Sequence, residues 1–346
     1  MKTDIKTKIK CVVWDLDNTL WKGTLLEDIN VKLNNNVVTI IKELDRRGIL
    51  QSIASKNDEE LAINQLKEFG LIDFFIYEHI NWNLKSESIR EIASEINIGL
   101  DTIAFIDDQD FELDEVKFQL TDVLCINSID INSILEREEF IPRFITKDSK
   151  NRRQLYINDI RRKKIEDNFI GPKEAFLESL NLKFHIKNVE EEDLKRVEEL
   201  TVRTNQLNST GYTFSYEELQ EFINSDNYRF YVAELRDVYG DYGKIGIMLI
   251  NETKDKLIIK LLLMSCRVMS RGVGNIFLNF ALKLGKSLNK KIIAEFNETK
   301  VNRIMYISYK FSNFKEINRT GSKILLEHNL SNISDYPKYI DVIINE

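Results

Sequence analysis

Three apolar runs in the first third of the chain stop abruptly at polar side chains. Cys11-Val12-Val13-Trp14 runs into Asp15, Ile49 to Ala54 runs into Ser55, and Ile103 to Ile106 runs into Asp107. Continuous apolar runs of this length are the mark of strands buried on both faces of a parallel sheet. Between them the period changes. Over 33–47, Val37, Ile40, Ile41 and Leu44 fall on one helical face, with Gly48 as the stop; 58–69 repeats the pattern up to Gly70; and 85–97 places Ile89, Ile92, Ala93 and Ile96 inward, with Gly99 after it. Strands are also predicted at 74–77 and 123–126, with a helix near 111–118. Such alternation predicts a parallel α/β sheet with helices on both faces.

The pattern changes again after 147. Residues 147–176 are strongly polar, with Leu155, Ile160 and Ile165 giving weak helical spacing, and read as a solvated connecting helix. From about 182 the order is strand (184–186), amphipathic helix (190–203), polar loop (204–211), three antiparallel strands (230–234, 243–250, 256–264), glycine-bearing loop, helix (276–288), strand (291–296) and helix (301–309). This predicts a second, α+β domain. The expected organisation is a first domain at 1–147, a helical linker at 148–178 and a second domain at 179–346.

With 346 residues, 43% of them hydrophobic, the chain is long enough for two real cores. A formal charge of −7 speaks against nucleic-acid binding, including by the basic stretch at 161–164. Three cysteines without disulfide or metal spacing, a charged N-terminus unlike a signal peptide, and no apolar run of membrane-spanning length predict a cytoplasmic protein with no membrane contact.

Chemistry concentrates where the apolar runs end, because open α/β sheets hold ligands at the carboxyl ends of their strands. Asp15 and Asp17 are two residues apart, and Asp107 and Asp108 follow another strand. Anions gathered this way need a cation, and Mg²⁺ suits a few carboxylate oxygens with substrate phosphate. Ser55 could hydrogen-bond a phosphoryl oxygen, and Lys85 could offset negative charge. Taken singly, each reads equally as a turn or a solvated side chain. In the second half, strand, glycine loop and helix would aim the backbone N–H groups of Arg271, Gly272, Val273 and Gly274 at an anion, with little room for a side chain at Gly274 if a ligand approaches closely; the same loop also reads as a tight turn that only starts a helix. The gaps between the strand-end residues are too short for a covering domain, so either the substrate is large or another domain or partner excludes water.

The run Asp15-Leu16-Asp17-Asn18-Thr19 resembles motif I of the haloacid dehalogenase (HAD) superfamily, with Ser55, Lys85 and Asp107-Asp108 at the places of motifs II, III and IV. The resemblance implies Asp15 as nucleophile, Asp17 as general acid/base and a metal ligand through its backbone carbonyl, and Asp15, Asp17, Asp107 and Asp108 as the Mg²⁺ site. The loop 264–274, with Asn302 and Tyr309-Lys310-Phe311, resembles GNAT acetyltransferases and their grip on coenzyme A, although Met269 stands where Gln or Arg is usual. Together with Asp17-Asn18-Thr19-Leu20-Trp21, Ser55-Lys56-Asn57-Asp58, Ile80-Asn81-Trp82, Lys85-Ser86 and Met264-Ser265-Cys266-Arg267-Val268, the whole chain resembles the FkbH-like proteins of HAD subfamily IIIC, found in polyketide and nonribosomal-peptide biosynthesis. That resemblance implies dephosphorylation of an acyl phosphate of the 1,3-bisphosphoglycerate type. A glyceryl unit then passes to the phosphopantetheine thiol of an acyl carrier protein. Glyceryl-transferring relatives often carry a relay cysteine just before the motif II serine, where this chain has Ala54. Cys266 beside Arg267 is the candidate left for that role, or a packing residue. A stand-alone Mg²⁺ phosphatase of a metabolite or carrier-bound phosphoester, and an N-acyltransferase, are the alternative functions.

Overall fold

The computed structural model describes residues 8–28 and 30–345, which divide into two compact units, 1–157 and 158–346. In the first, β1 (Cys11–Trp14), β4 (Leu50–Ser55), β5 (Glu78–Ile80), β6 (Ile103–Asp107) and β7 (Leu124–Asn127) form one parallel sheet in the order β5-β4-β1-β6-β7. A two-stranded flap, β2 (Trp21–Lys22) with β3 (Lys32–Leu33), follows β1. The crossovers are α1 (Asn35–Arg46), α2 (Glu59–Glu68), α3 (Lys85–Ile96) and α4 (Asp110–Gln119). The predicted faces are the buried ones: Val37, Ile40, Ile41 and Leu44 on α1, and Ile89, Ile92, Ala93 and Ile96 on α3. One buried polar side chain among the strands, Gln51, is fully used, accepting from Trp14 Nε1 at 3.1 Å and donating to Ile41 O at 3.0 Å.

One strand is displaced from its predicted place. Residues 74–77 do not form it; β5 lies at Glu78–Ile80 instead. Phe75 and Ile76 are buried, and Ile76 N–H donates to Gln51 O, so the apolar pattern there is real. Tyr77, however, sits at φ +55°, which breaks the extended run before pairing begins.

The segment 147–179 forms three helices, α5 (Lys147–Lys150), α6 (Arg152–Asp167) and α7 (Lys173–Ser179). It is not simply solvated. Within the first unit, Arg152 is buried on Gly48 O at 2.8 Å and Arg153 pairs with Asp45 at 2.9 Å. Within the second, Arg162 is fully buried, forks onto both oxygens of Asp237 at 2.7 and 2.9 Å and lies 3.7 Å from the Tyr242 ring centroid. The basic residues pack as planar, hydrogen-bonded groups, a use of arginine that composition does not reveal.

The second unit is a mixed eight-stranded sheet, ordered β13-β14-β12-β11-β10-β9-β8-β15. Its strands are β8 (Leu182–Asn188), β9 (Tyr228–Asp237), β10 (Gly240–Glu252), β11 (Lys256–Met264), β12 (Lys291–Asn297), β13 (Lys315–Thr320), β14 (Lys323–His328) and β15 (Ile340–Asn345). The helices are α8 (Leu194–Arg203), α9 (Tyr216–Ile223), α10 (Val273–Ser287) and α11 (Arg303–Phe311). β11 and β12 are parallel, as are β8 and β15, and the other pairs are antiparallel. The α10 face made by Val273, Ile276, Phe277, Phe280 and Ala281 is buried in the main core with strand residues such as Phe184, Tyr231, Met248 and Ile259. Among the described residues, no helix is long and apolar enough to cross a membrane.

Candidate active site

The carboxyl ends of β1, β4 and β6 carry the polar residues at which the apolar runs stop. Asp15 follows β1 directly and extends it, its N–H donating to Ile106 O at 2.9 Å. Ser55 closes β4 and is buried, while Asp107 closes β6 and Asp108 begins the next loop. Lys85 opens α3, whose N-terminus is pinned by Glu115: Ser86 Oγ donates to it at 2.6 Å and Ser86 N–H at 3.2 Å. From there the Lys85 ammonium enters the sheet end. It hydrogen-bonds Asp15 Oδ1, donates to Ala54 O at 2.8 Å and pairs with Asp107 Oδ2 at 3.2 Å.

Asp15, Asp107 and Asp108 each offer a carboxylate oxygen within 4.8 Å of the others. One lysine does not neutralise three carboxylates, and the consequences are visible at Asp107 and Asp108. Burial, with the charge of Asp15 beside it, pushes Asp107 up to about 6. Burial and then Asp15 raise Asp108 above the ordinary carboxylate range. Burial works against the Lys85 ammonium, yet Asp15 and Asp107 outweigh it and hold its pKa above the usual lysine value. Asp108 Oδ1 is buried with no hydrogen-bond partner. Hard carboxylate oxygens, an excess of negative charge and one unused buried oxygen fit Mg²⁺; Asp15, Asp107 and Asp108 would hold it.

Asp17 is placed differently. Its carboxylate is not in that group: Oδ1 accepts from Trp21 Nε1 at 2.7 Å and from Leu25 N–H at 3.1 Å, and Oδ2 accepts from Asn57 Nδ2 at 3.0 Å. Three of the four carboxylates thus gather, while the flap and the loop after β4 hold the fourth. A metal contact by Asp17 is left to its backbone carbonyl. Burial leads the factors that raise the Asp17 pKa, against those hydrogen bonds. Asn57 and Trp21 are the residues whose part the sequence reading missed. Both lay inside motifs already singled out, but nothing in the spacing showed that they turn toward Asp17. Lys56 and Glu112 also meet at these loops, at 2.6 Å.

The remaining candidates lie in the second unit. Cys266 is half-buried in the short 3₁₀ turn Cys266–Arg271, against the main core. The Arg271 side chain turns inward, pairing with Glu166 at 2.8 Å and lying 5.5 Å from the Phe176 ring centroid. Gly272 caps α10 at φ +73°, and a Cβ there would meet Tyr339 Oη at 2.7 Å, whereas a Cβ on Gly274 would meet only Met264 Cγ at 3.9 Å. The position that excludes a side chain is thus Gly272, for reasons of backbone and packing. Val273 opens α10 and is buried. A cavity of about 270 Å³ borders this loop, with Met264, Val268, Met269, Gly272, Gly274 and Phe311 in its wall; Cys266 and Arg271 are not among its lining residues.

The chain matches no protein-family model and no curated protein. Among solved structures, it is similar at 30% identity to the N-terminal part of a Bacteroides fragilis protein, containing a phosphatase domain and complexed with Mg; the match covers 38% of this chain and 39% of that one, with a TM-score of 0.35. It is also similar, at 18% identity, to the PaiA N-acetyltransferase of Thermoplasma acidophilum in complex with coenzyme A, over 42% of this chain and 97% of that one (TM-score 0.35). A spermidine N-acetyltransferase from Vibrio cholerae, with CoA and spermine, matches at 18% over 42% and 92% (TM-score 0.33). The architecture itself is a five-stranded parallel sheet with a two-stranded flap after β1, followed in the chain by a mixed eight-stranded sheet.

Proposed function

We propose that the first unit is a Mg²⁺-dependent phosphoryl-transfer enzyme in which Asp15 is the nucleophile. The observation that carries this reading is the group of Asp15, Asp107 and Asp108 at adjoining strand ends, the first two buried and tied together by Lys85, the third left with a buried, unpartnered oxygen. An Asp15 oxygen attacks phosphorus, the bond from phosphorus to the leaving oxygen breaks, and an aspartyl phosphate forms. Asp17, its pKa raised above the ordinary range, gives the departing oxygen a proton. It then takes one from the water that attacks the aspartyl phosphate and releases phosphate. Lys85 orients Asp15 and balances charge on the phosphoryl group, and Ser55 donates to a phosphoryl oxygen. Bound Mg²⁺ would supply charge neutralisation at the transferring group. Asp15→Asn should stop phosphate release, and retention of release near the parent rate would remove the nucleophile assignment.

The finer reading is that the substrate is an acyl phosphate of the 1,3-bisphosphoglycerate type and that a glyceryl unit passes to the thiol of an acyl carrier protein. It is supported by the FkbH-like motifs and by a flap of only two short strands beside the site, which suits a bulky partner. The acyl phosphate is already activated, so the carrier thiolate attacks the acyl carbon, the bond from that carbon to the phosphate oxygen breaks, a thioester forms and inorganic phosphate leaves; the remaining phosphate ester goes to Asp15. Direct attack is favoured over a cysteine relay within this unit: burial drives the Cys11 thiol far above its ordinary value and pushes Cys125 up to about 11, and Ala54 offers no sulfur. That same absence of a thiolate favours the second reading, a stand-alone phosphatase. Intact mass of a candidate carrier incubated with the protein, Mg²⁺ and 1,3-bisphosphoglycerate separates the two. A glyceryl adduct supports loading; phosphate release without an adduct leaves the phosphatase.

A further inference from the structure

Two neighbouring strands of the second unit part company halfway along. β11 and β12 pair in parallel only from Lys256–Lys291 to Ile259–Ala294. At the next residue β11 bulges: its ladder with β10 steps from Ile250–Ile259 to Leu249–Leu261, leaving Lys260 unmatched. A bulge bends its strand and ends regular pairing. Beyond it, Leu261–Met264 and Glu295–Asn297 border a gap with free strand edges. A gap of this kind receives an extended chain through its backbone groups, and the amide-bearing arm of a phosphopantetheine group is such a chain.

The gap is filled by the protein itself. Ser209 N–H donates to Leu262 O at 2.9 Å, and Met264 N–H donates to Leu207 O at 2.9 Å. Leu262 N–H donates to Ser209 Oγ at 2.9 Å, and Asn208 bridges Leu263 in antiparallel fashion. On the far side, Asn297 N–H donates to Ser209 O at 3.0 Å and Asn297 Nδ2 to Thr210 O at 3.1 Å. The segment is braced from behind. Asn302, fully buried, donates to Asn208 O at 3.0 Å and to Asn297 O at 2.9 Å, while Asn208 Oδ1 accepts from Thr210 and Gly211 N–H. Asn208, Ser209 and Thr210 are 1%, 0% and 2% exposed, so this polar stretch is core, not surface loop. Leu207 lies in the wall of the 270 Å³ cavity beside the glycine loop, and Thr210 in the wall of a 500 Å³ cavity lined also by Tyr212, Phe214, Lys260 and Glu295. The segment stands between the two.

We propose that Leu207–Thr210 is an internal substitute for a ligand strand, so that the second unit takes no pantetheine arm between β11 and β12 and transfers no acyl group through that gap. Both edge groups of Leu262 and the N–H groups of Met264 and Asn297 are already satisfied from within, so an incoming arm would have to displace the segment to reach them. The phosphopantetheine expectation does not fit these residues, and the glycine loop is left as the start of α10. The inference concerns the second unit alone and stands whether or not Asp15 is the nucleophile of the first.

Residue-resolved amide hydrogen exchange on the full chain, without ligand and with coenzyme A at millimolar concentration, tests it. Slow exchange at Ser209, Leu262, Met264 and Asn297, unchanged by coenzyme A, is the expected result, whether coenzyme A fails to bind or binds elsewhere. Fast exchange at these amides without ligand overturns the proposal, as does coenzyme A that speeds exchange over 207–210 while protecting 262–264. Ser209→Ala should speed exchange at Leu262 about tenfold, the scale of one lost buried hydrogen bond; an unchanged Leu262 would show that Ser209 does not cap that edge.

Discussion

The strand ends of the first unit and the parted strands of the second are both places where a sheet leaves polar groups without sheet partners, and the chain treats them in opposite ways. At the first, three carboxylates, those of Asp15 and Asp107 buried and that of Asp108 half-buried, are drawn together against one lysine, and the buried Asp108 Oδ1 has no partner. At the second, Leu207–Thr210 supplies a partner for the N–H groups of Leu262, Met264 and Asn297. Unmet hydrogen-bonding and charge capacity in a buried place is costly, and it persists where a ligand meets it. Met capacity is architecture. The contrast assigns chemistry to the first unit and a closed scaffold to the gap of the second.

The largest effect expected of any single change is at Asp15. Asp15→Asn should lower phosphate release by roughly four to six orders of magnitude, the scale of deleting a catalytic nucleophile, with the circular dichroism spectrum unchanged. A loss of tenfold or less would reduce Asp15 to one charge among several.

Next comes Lys85. Lys85→Ala leaves Asp15 and Asp107 buried without their cation, which should destabilise the metal-free protein by about 3–5 kcal/mol, the cost of breaking a buried ion pair. Mg²⁺ should recover part of this by neutralising the same carboxylates. Urea unfolding with and without Mg²⁺ measures both. A variant as stable as the parent in the absence of metal would contradict the picture of an under-neutralised site.

The same imbalance has a pH signature. Asp107 stands at about 6 in the metal-free protein because of burial and Asp15. For an acid whose folded pKa is raised, the folded state binds the proton more tightly than the unfolded chain, so the charged group costs stability above its folded pKa and that cost is relieved as pH falls. The urea midpoint of the metal-free protein should therefore gain a favourable contribution as pH falls from neutrality through about 6. Saturating Mg²⁺ should flatten this contribution, and its loss in Asp107→Asn would identify the group.

Smaller effects should sort the two regions. Asn57→Ala removes one donor from Asp17 and should lower turnover about tenfold, in the range of a lost charge-assisted hydrogen bond, while moving the acidic limb of the rate profile; a purely structural Asn57 would leave that limb in place. Asn302→Ala removes three side-chain hydrogen bonds, to Asn208 O, to Asn297 O and from Thr299 N–H, and should cost on the order of 2–4 kcal/mol of stability. Its phosphate release per folded molecule should be unchanged. Impaired turnover by folded Asn302→Ala would break the separation of roles.

How much of this could be read beforehand follows the same division. The first unit was legible because its strands are buried on both faces and end at acids, so apolar runs marked the elements and their ends marked the site. The burial of Val37, Ile40, Ile41 and Leu44 follows directly from their spacing. What escaped was set by backbone detail, such as Tyr77 at positive φ, or by side-chain direction, such as Asn57 turning to Asp17. The second unit was less legible. β13 is Lys-Glu-Ile-Asn-Arg-Thr with every residue exposed, so its strand character comes from pairing with β14 and not from any apolar pattern. α9 has a start that is legible in the sequence, Ser215 with Glu218 as a capping box. The stretch 204–211 was expected as a polar loop on composition, and its burial is visible only once the gap it fills is known.

The central claim is that Asp15 becomes phosphorylated. The protein can be mixed with Mg²⁺ and a phosphorylated substrate, quenched in acid within its turnover time, digested and searched by mass spectrometry for a phosphoryl group on the peptide that contains Asp15. The account predicts a phosphoryl adduct on Asp15 that forms before free phosphate appears and is absent from Asp15→Asn. Steady phosphate release with no adduct at any quench time, or an adduct on another residue, would contradict it.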